Sequence, residues 1–126
     1  MINGEKEAGY TYHYIDTGTD TGDIIIQEPL KIEEFDTQET LYIRAMLESM
    51  KKFSLAFAHV ANGLPGKKQE GKPSYYPRGC PHKGKIDPNW DYAYKERFIR
   101  AMTYPPYPVA KLGGRKIFTM HDFENG

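Results

Sequence analysis

The stretch "YTYHYIDTGTDTGDIIIQEPLKI" (10–32) encloses a polar loop between two apolar segments. Residues 10–15 are β-branched or aromatic at nearly every position, which is typical of a strand. The continuous isoleucine run that opens residues 24–32 predicts a second strand covered on both faces, with Pro29 marking an end or a bulge. Because only a short loop separates the two segments, we expect them to form an antiparallel pair.

The segment after these strands predicts a long amphipathic helix over 37–62. "DTQE" (36–39) has the pattern of a capping box, in which Asp36 or Thr37 accepts the first amide hydrogens and Glu39 reaches back. "NG" (62–63) predicts a left-handed C-terminal cap. Apolar residues recur between these ends at three- and four-residue steps, as on one face of a helix: Ile43, Met46, Leu47, Met50, Phe53, Phe57, Val60 and Ala61.

Two short strands are too small to cover so broad an apolar face. We therefore expect another copy of the chain, or a separate N-terminal chain, to cover both that face and the run Ile24-Ile25-Ile26. This expectation makes the protein a homo-oligomer or one part of a two-chain assembly.

The second half of the chain predicts smaller elements. Residues 64–89 are rich in Gly, Pro and Lys and indicate an extended connector. A second helix is predicted at about 90–103, where "YPPYP" (104–108) ends it because proline cannot continue the helix. "VAKLGGRKIFTM" (109–120) predicts a hairpin turning at Gly113-Gly114. The fold class is thus α/β, or α+β for this segment alone, with domains predicted at 1–63 and 64–126.

Composition excludes several classes of function. The 126 residues suit one modest domain, and 17 basic residues balance 17 acidic ones, so no net field attracts nucleic acid or anionic lipid. No apolar run approaches the length of a membrane span. Cys80 is the single cysteine, which fits a reducing cytoplasm, and no His or Cys spacing predicts a metal site.

One interpretation of the aspartate-rich loop is an aspartic protease of the retroviral type. "IDTGTD" (15–20) has the apolar–Asp-Thr-Gly pattern of those enzymes, in which two carboxylates share a proton. Asp16 would then be catalytic, and "LGGRKIF" (112–118) would be the later glycine turn. That family is almost wholly β-strand, so the helix predicted over 37–62 argues against this interpretation.

A second interpretation uses far more of the chain. "INGEKEAGYTYHYIDTGTDTGDIIIQEPLKIEEFDTQETLY" (2–42) resembles the second half of the Rossmann-like catalytic domain of formyltransferases that use 10-formyltetrahydrofolate. "YYPRGCPHKGKID" (75–87) and "RFIRAMTYPPYPVAKLGGRKI" (97–117) resemble the connector and tail of the members that modify sugars. The residues that carry the first match are Gly4, Gly9, Asp16, Gly18, Asp20-Thr21-Gly22-Asp23, Asp36-Thr37 and Thr40-Leu41-Tyr42.

The resemblance implies formyl transfer from 10-formyltetrahydrofolate to a primary amine, either an amino sugar on a nucleotide or methionyl-tRNA. It places the catalytic aspartate at Asp20, where a carboxylate would take the proton that the attacking amine sheds. It also implies folate contacts along the same loop and acceptor contacts further on. The folate positions are Tyr14, Asp16, Gly18 and Asp23, and the acceptor positions are Tyr107 and Arg78.

Two further catalytic residues of the family, an Asn and a His, fall in an Asn-x-His-x-Ser segment some thirty residues before the aspartate. Asp20 lies too close to Met1 for these residues to be present in this chain. The resemblance thus covers the C-terminal half of the catalytic unit only. The alternative hypothesis is that the chain is not an enzyme but a non-catalytic fragment or a dimerisation module.

Overall fold

The computed structural model describes all residues from Met1 to Gly126. It contains four strands, three α-helices and one short 3-10 helix, which confirms the mixed α/β class. The elements in chain order are β1 (Glu7–His13), β2 (Ile24–Lys31), α1 (Gln38–Ala61), the 3-10 helix (Pro81–Gly84), α2 (Tyr92–Ala101), β3 (Ala110–Leu112), β4 (Arg115–Ile117) and α3 (Met120–Glu124). None of these helices combines the length and the hydropathy that crossing a bilayer requires.

The chain forms two compact units that interleave along the sequence. One, here called the loop unit, comprises residues 7–31 and 43–76; the other, here called the terminal unit, comprises residues 1–6, 32–42 and 77–126. The two units are defined by compactness and do not correspond to continuous segments of the sequence. The division into domains at 1–63 and 64–126 therefore stays a prediction.

The loop unit is built on the antiparallel pair of β1 and β2, as the sequence predicts. Pro29 does not mark an end or a bulge, because it lies inside β2 opposite Gly9. A two-stranded sheet leaves each strand one free edge, where a residue without an N–H costs no ladder hydrogen bond. The register instead shifts between Tyr12 and His13, directly before the aspartate-rich loop.

Helix α1 starts with a reciprocal cap whose partner differs from the predicted one. The Thr40 N–H donates to Thr37 Oγ1 at 3.3 Å, and the Thr37 N–H donates to Thr40 Oγ1 at 2.9 Å. Because the helix begins at Gln38, the third helical position is Thr40, and Glu39 is not the partner. The fully buried Asp36 carboxylate accepts from the Thr40 hydroxyl at 3.0 Å. Gly63, with φ of 64°, ends the helix as predicted.

The apolar face of α1 is exposed to a large extent. Within the loop unit, the strand pair contacts α1 at Ser49 and Lys52. The Tyr12 hydroxyl donates to the Ser49 carbonyl at 2.8 Å, and Lys52 pairs with Glu28 at 3.6 Å. The large apolar side chains left exposed on α1 include Ile43, Met46, Leu47, Met50, Phe53 and Phe57. Their cover by a second copy or an N-terminal chain stays a prediction.

The terminal unit has a small core of its own. Phe98 and Ile99 of α2 pack with Ile86, Ala110 and Ile117, all at most 5% exposed. Asp91 caps α2 by accepting from the Tyr94 N–H at 2.8 Å. Gly113 and Gly114 turn the predicted hairpin with φ of 56° and 92°. Two elements are not predicted from the sequence: α3, which Thr119 and Asp122 cap reciprocally, and the 3-10 helix inside the connector.

Candidate active site

Residues 14–23, here called the aspartate loop, are closed at their base by one backbone contact. The Tyr14 N–H donates to the Asp23 carbonyl at 2.9 Å, and Gly22 is buried beside it. A Cβ at Gly22 would lie 1.6 Å from the Tyr14 carbonyl oxygen, a distance that no side chain can adopt. The second glycine of the Asp-Thr-Gly pair is therefore required for the loop to close.

The carboxylate of Asp16 is hydrogen-bonded within the loop itself. Its Oδ1 accepts from the Gly18 N–H at 2.9 Å and from the Thr21 hydroxyl at 2.5 Å, which is the arrangement of an Asx-turn. The Thr21 hydroxyl is the main cause that lowers the pKa of Asp16, and the Gly18 amide adds to it. The charged form of this carboxylate thus holds the first half of the loop.

The pKa of Asp16 is expected to rise when the Thr21 hydroxyl is removed. A folded-state pKa below the unfolded value means that the charged carboxylate stabilises the loop above that unfolded value, and that this support is lost as the pH falls through the folded value. We expect Thr21→Val to move the Asp16 carboxyl titration upward and Thr21→Ser to preserve it, as followed by carbon NMR of the side chain. Identical Asp16 titrations in the two variants would contradict the assignment.

Asp20 is held by its backbone while its side chain is exposed. Its φ of 56° lies in the left-handed region that few residues with a Cβ occupy, and its side chain is 86% exposed. Gln69 Nε2 donates to the Asp20 carbonyl at 2.8 Å and to the Gly22 carbonyl at 2.7 Å. One side-chain amide therefore fixes the backbone on both sides of Thr21 and presents the Asp20 carboxylate to solvent.

His13 provides a second titratable group next to Asp20. Its Nδ1 lies 2.7 Å from the Tyr14 carbonyl oxygen, which can only accept, so this contact places a hydrogen on Nδ1. In the neutral ring Nε2 is then the lone-pair nitrogen, and it lies 3.6 Å from Asp20 Oδ1. A proton taken up by Asp20 has a basic nitrogen within short reach, and a protonated His13 would pair with the carboxylate.

The far side of the loop is supported by residues of the segment 64–89, which the sequence predicts to be an extended connector. The Tyr14 hydroxyl donates to the Leu64 carbonyl at 2.5 Å, and Ile24 and Lys67 exchange two backbone hydrogen bonds of 2.7 Å each. Gln69 follows two residues later. No spacing or motif in this Lys- and Gly-rich segment marks Gln69, so its contact with the loop is not predictable from the sequence.

The loop gathers five of the seven site residues predicted from the sequence, namely Tyr14, Asp16, Gly18, Asp20 and Asp23. Tyr107 and Arg78 belong to the terminal unit. There Tyr107 is exposed and its ring meets that of Tyr104 at 5.4 Å, while Arg78 lies exposed in the connector. Their acceptor contacts stay predictions.

Comparison with known proteins matches the loop to a family. Residues 1–56, which contain β1, the aspartate loop and β2, match the sequence model of the family described as formyl transferase. This segment belongs to the formyltransferase family. Asp16, Gly18, Asp20 and Gly22, whose geometry is given above, all lie inside the matched range.

Individual formyltransferases extend the similarity beyond residue 56. GDP-perosamine N-formyltransferase of Brucella melitensis is 43% identical over 112 residues, which cover 89% of this chain and 43% of its own length. Methionyl-tRNA formyltransferase of Pelotomaculum thermopropionicum is 34% identical over 112 residues, covering 88% of this chain and 35% of its own. The chain spans less than half the length of these curated relatives.

A solved structure agrees in fold. The N-formyltransferase from Helicobacter canadensis, in complex with folinic acid and dTDP-3-aminofucose, is 27% identical and superposes with a TM-score of 0.73. The match covers 93% of this chain and 45% of that one. Both compact units therefore take part in the formyltransferase fold.

Proposed function

We propose that this chain is part of a formyltransferase that moves a formyl group from 10-formyltetrahydrofolate to the amine of a nucleotide-linked amino sugar. The observation that carries the proposal is the aspartate loop itself, in which hydrogen bonds fix the backbone that presents an exposed Asp20 carboxylate, within a segment that matches the formyltransferase family. The protease hypothesis has no comparable support, because Asp16 is tied up within its own loop.

The loop fits a folate as its partner. The N–H groups of Thr19, Asp20 and Thr21 donate to no protein acceptor, and all three residues are exposed. Such donors, next to the carbonyls of a tight glycine-containing turn, suit the hydrogen-bonding edge of a pterin ring. The bound folate would supply the formyl group, and Tyr14, Asp16, Gly18 and Asp23 would shape the surface against which it lies.

Asp20 would handle the proton of the reaction. An amine that attacks a formyl carbon must lose a proton, and a positioned carboxylate that accepts it lowers the barrier. The left-handed backbone and Gln69 fix the main chain of Asp20, and the Nε2 of His13, 3.6 Å from its carboxylate, is placed to take the proton onward. The Asn and His of the family have no counterpart within residues 1–126, so a further polypeptide segment would supply them.

The acceptor is proposed to be a sugar rather than a tRNA. Identity to the perosamine enzyme is 43%, against 34% to the methionyl-tRNA enzyme over the same number of residues. The balance of 17 basic and 17 acidic residues also provides no excess positive charge for a nucleic acid backbone.

Formylation assays with alternative acceptors test this function. The chain, alone and mixed with a formyltransferase N-terminal half that carries the Asn-x-His segment, is incubated with 10-formyltetrahydrofolate and either a nucleotide-linked amino sugar or methionyl-tRNA. A mass increase of one formyl group on the sugar is expected. Formylation of the tRNA alone would contradict the acceptor, and formylation of neither would favour the non-catalytic module.

A further inference from the structure

The tip of the aspartate loop is not held from within. Asp20 is the one residue of this loop with a positive φ, at 56°, a conformation in which the Cβ crowds the following carbonyl oxygen. The hydrogen bonds of Asp16 reach the Gly18 N–H and the Thr21 hydroxyl, and no bond from inside the loop reaches the main chain of residues 19–22. The left-handed turn at Asp20 therefore depends on a contact from outside the loop.

Gln69, which belongs to the same compact unit, supplies this contact through its side-chain amide. Its Nε2 donates to the Asp20 carbonyl at 2.8 Å and to the Gly22 carbonyl at 2.7 Å. Both partners can only accept, so the nitrogen of the amide faces the loop and both of its hydrogens are used. Since the direction of a side chain follows its main chain, the contact also sets where the Asp20 side chain leaves the loop, with its carboxylate 3.6 Å from Nε2 of His13.

The segment that carries this amide is itself fixed against the loop. Residues 64–69, here called the strap, run beside the end of the loop, where Lys67 and Ile24 exchange two backbone hydrogen bonds of 2.7 Å each. One residue earlier, a Cβ at Gly66 would lie 2.7 Å from the Cβ of Asp23, so the strap approaches the loop more closely than a side chain would allow. The strap is therefore already in place where its last residue extends an amide toward the loop tip.

We propose that Gln69 is a positioning residue for formyl transfer, which holds the main chain of Asp20 so that its carboxylate meets the attacking amine beside His13. The inference rests on the function proposed above. Gln69 contacts no reacting atom, so its effect falls on the rate at which the bound amine reacts rather than on the binding of the amine.

Substitutions of Gln69 separate hydrogen-bond donation from side-chain size. Rates are measured with the full chain mixed with the formyltransferase N-terminal half that carries the Asn-x-His segment. Gln69→Leu, which cannot donate, and Gln69→Glu, a carboxylate of the same size, are each expected to lower kcat about tenfold, because two hydrogen bonds are lost. Gln69→Lys, whose ammonium group only donates, is expected to stay within about threefold of the wild type. The KM for the amino sugar is expected to change by less than about twofold.

Lys68→Leu is the matched control, because Lys68 is an exposed neighbour in the strap, and it is expected to retain the full rate. Equal rates in the Glu and Lys variants of Gln69 would show that donation is not what matters. A urea midpoint that falls together with the rate would leave Gln69 a purely structural role. Either result would overturn the proposal.

A measurement without turnover separates this inference from the proposed function. The scalar coupling between the amide and α hydrogens of Asp20 depends on φ, and in the full chain it is expected to change in Gln69→Leu but not in Lys68→Leu. An unchanged coupling, or an unchanged kcat in Gln69→Leu beside a reduced kcat in Asp20→Asn, would overturn the role of Gln69 alone. A changed coupling in a protein whose wild type formylates no acceptor would overturn the proposed function, and the catalytic role of Gln69 with it.

Discussion

Asp20→Asn is expected to reduce formyl transfer by about a hundredfold or more, because the amide cannot accept the proton that the amine loses. The substitution keeps the size of the side chain, and Asn tolerates the left-handed backbone at φ of 56° better than most residues do. The hydrogen bond from Gln69 to the Asp20 carbonyl involves no side-chain atom of residue 20 and is expected to remain. The measurement is the initial rate of sugar formylation by the chain mixed with the N-terminal half that carries the Asn-x-His segment, together with the circular dichroism of the wild type and the variant.

Glu70→Gln is the matched control for the loss of one carboxylate. Glu70 is exposed, lies in the same loop unit and is the residue after Gln69. Its variant is expected to retain the full rate. Equal rates for the wild type and Asp20→Asn would remove Asp20 from the chemistry, and peptide cleavage that depends on Asp16 would favour an aspartic protease after all.

Gly22→Ala is expected to produce the largest structural effect in the loop. Its Cβ would lie 1.6 Å from the carbonyl oxygen and 2.6 Å from the carbonyl carbon of Tyr14, so the clash is with backbone and no rotamer relieves it. The closing bond from the Tyr14 N–H to the Asp23 carbonyl must open, and Gln69 then loses the second carbonyl that it holds. We expect a loss of about 3 kcal/mol or more in the free energy of unfolding, measured by denaturant titration.

Thr19→Ala provides the comparison, because Thr19 is an exposed residue of the same loop. It is expected to change the free energy of unfolding by less than about 0.5 kcal/mol. Hydrogen exchange at the Tyr14 amide separates a local effect from a global one, since it is expected to accelerate in Gly22→Ala alone. A Gly22 variant as stable as the Thr19 variant would show that the loop closes in another way.

Much of the local structure was predictable because it depends on short-range patterns. The three- and four-residue spacing of apolar residues, together with Asn62-Gly63, predicts α1 to within one residue at each end. Gly113-Gly114 predicts the hairpin turn. The choice of Thr40 over Glu39 as the capping partner was not predictable, since the sequence allowed either Asp36 or Thr37 as the N-cap and a one-residue difference in the start of the helix decides the partner. Helix α3 is only five residues long, too short for periodicity to reveal.

The candidate site was predictable only where its residues are neighbours in sequence. The Asp-Thr-Gly repeat marks Asp16 and Asp20, and the structure distinguishes them by their hydrogen bonds, because Asp16 is engaged in its own turn whereas the Asp20 side chain is exposed. The contribution of Gln69 depends on a chain reversal that no local pattern encodes. The strained backbone at His82 and Lys83 was equally invisible, because neither residue type favours the left-handed region as glycine does.

The reach of Gln69, 49 residues beyond Asp20, has a practical consequence for protein engineering. A designer who transplants residues 14–23 into a foreign scaffold would move the Asp20 carboxylate but leave behind the side chain that fixes the backbone of Asp20. Segment 64–69 would have to be transplanted together with the loop, because its contacts hold the loop in place although helix α1 separates the two segments in the sequence.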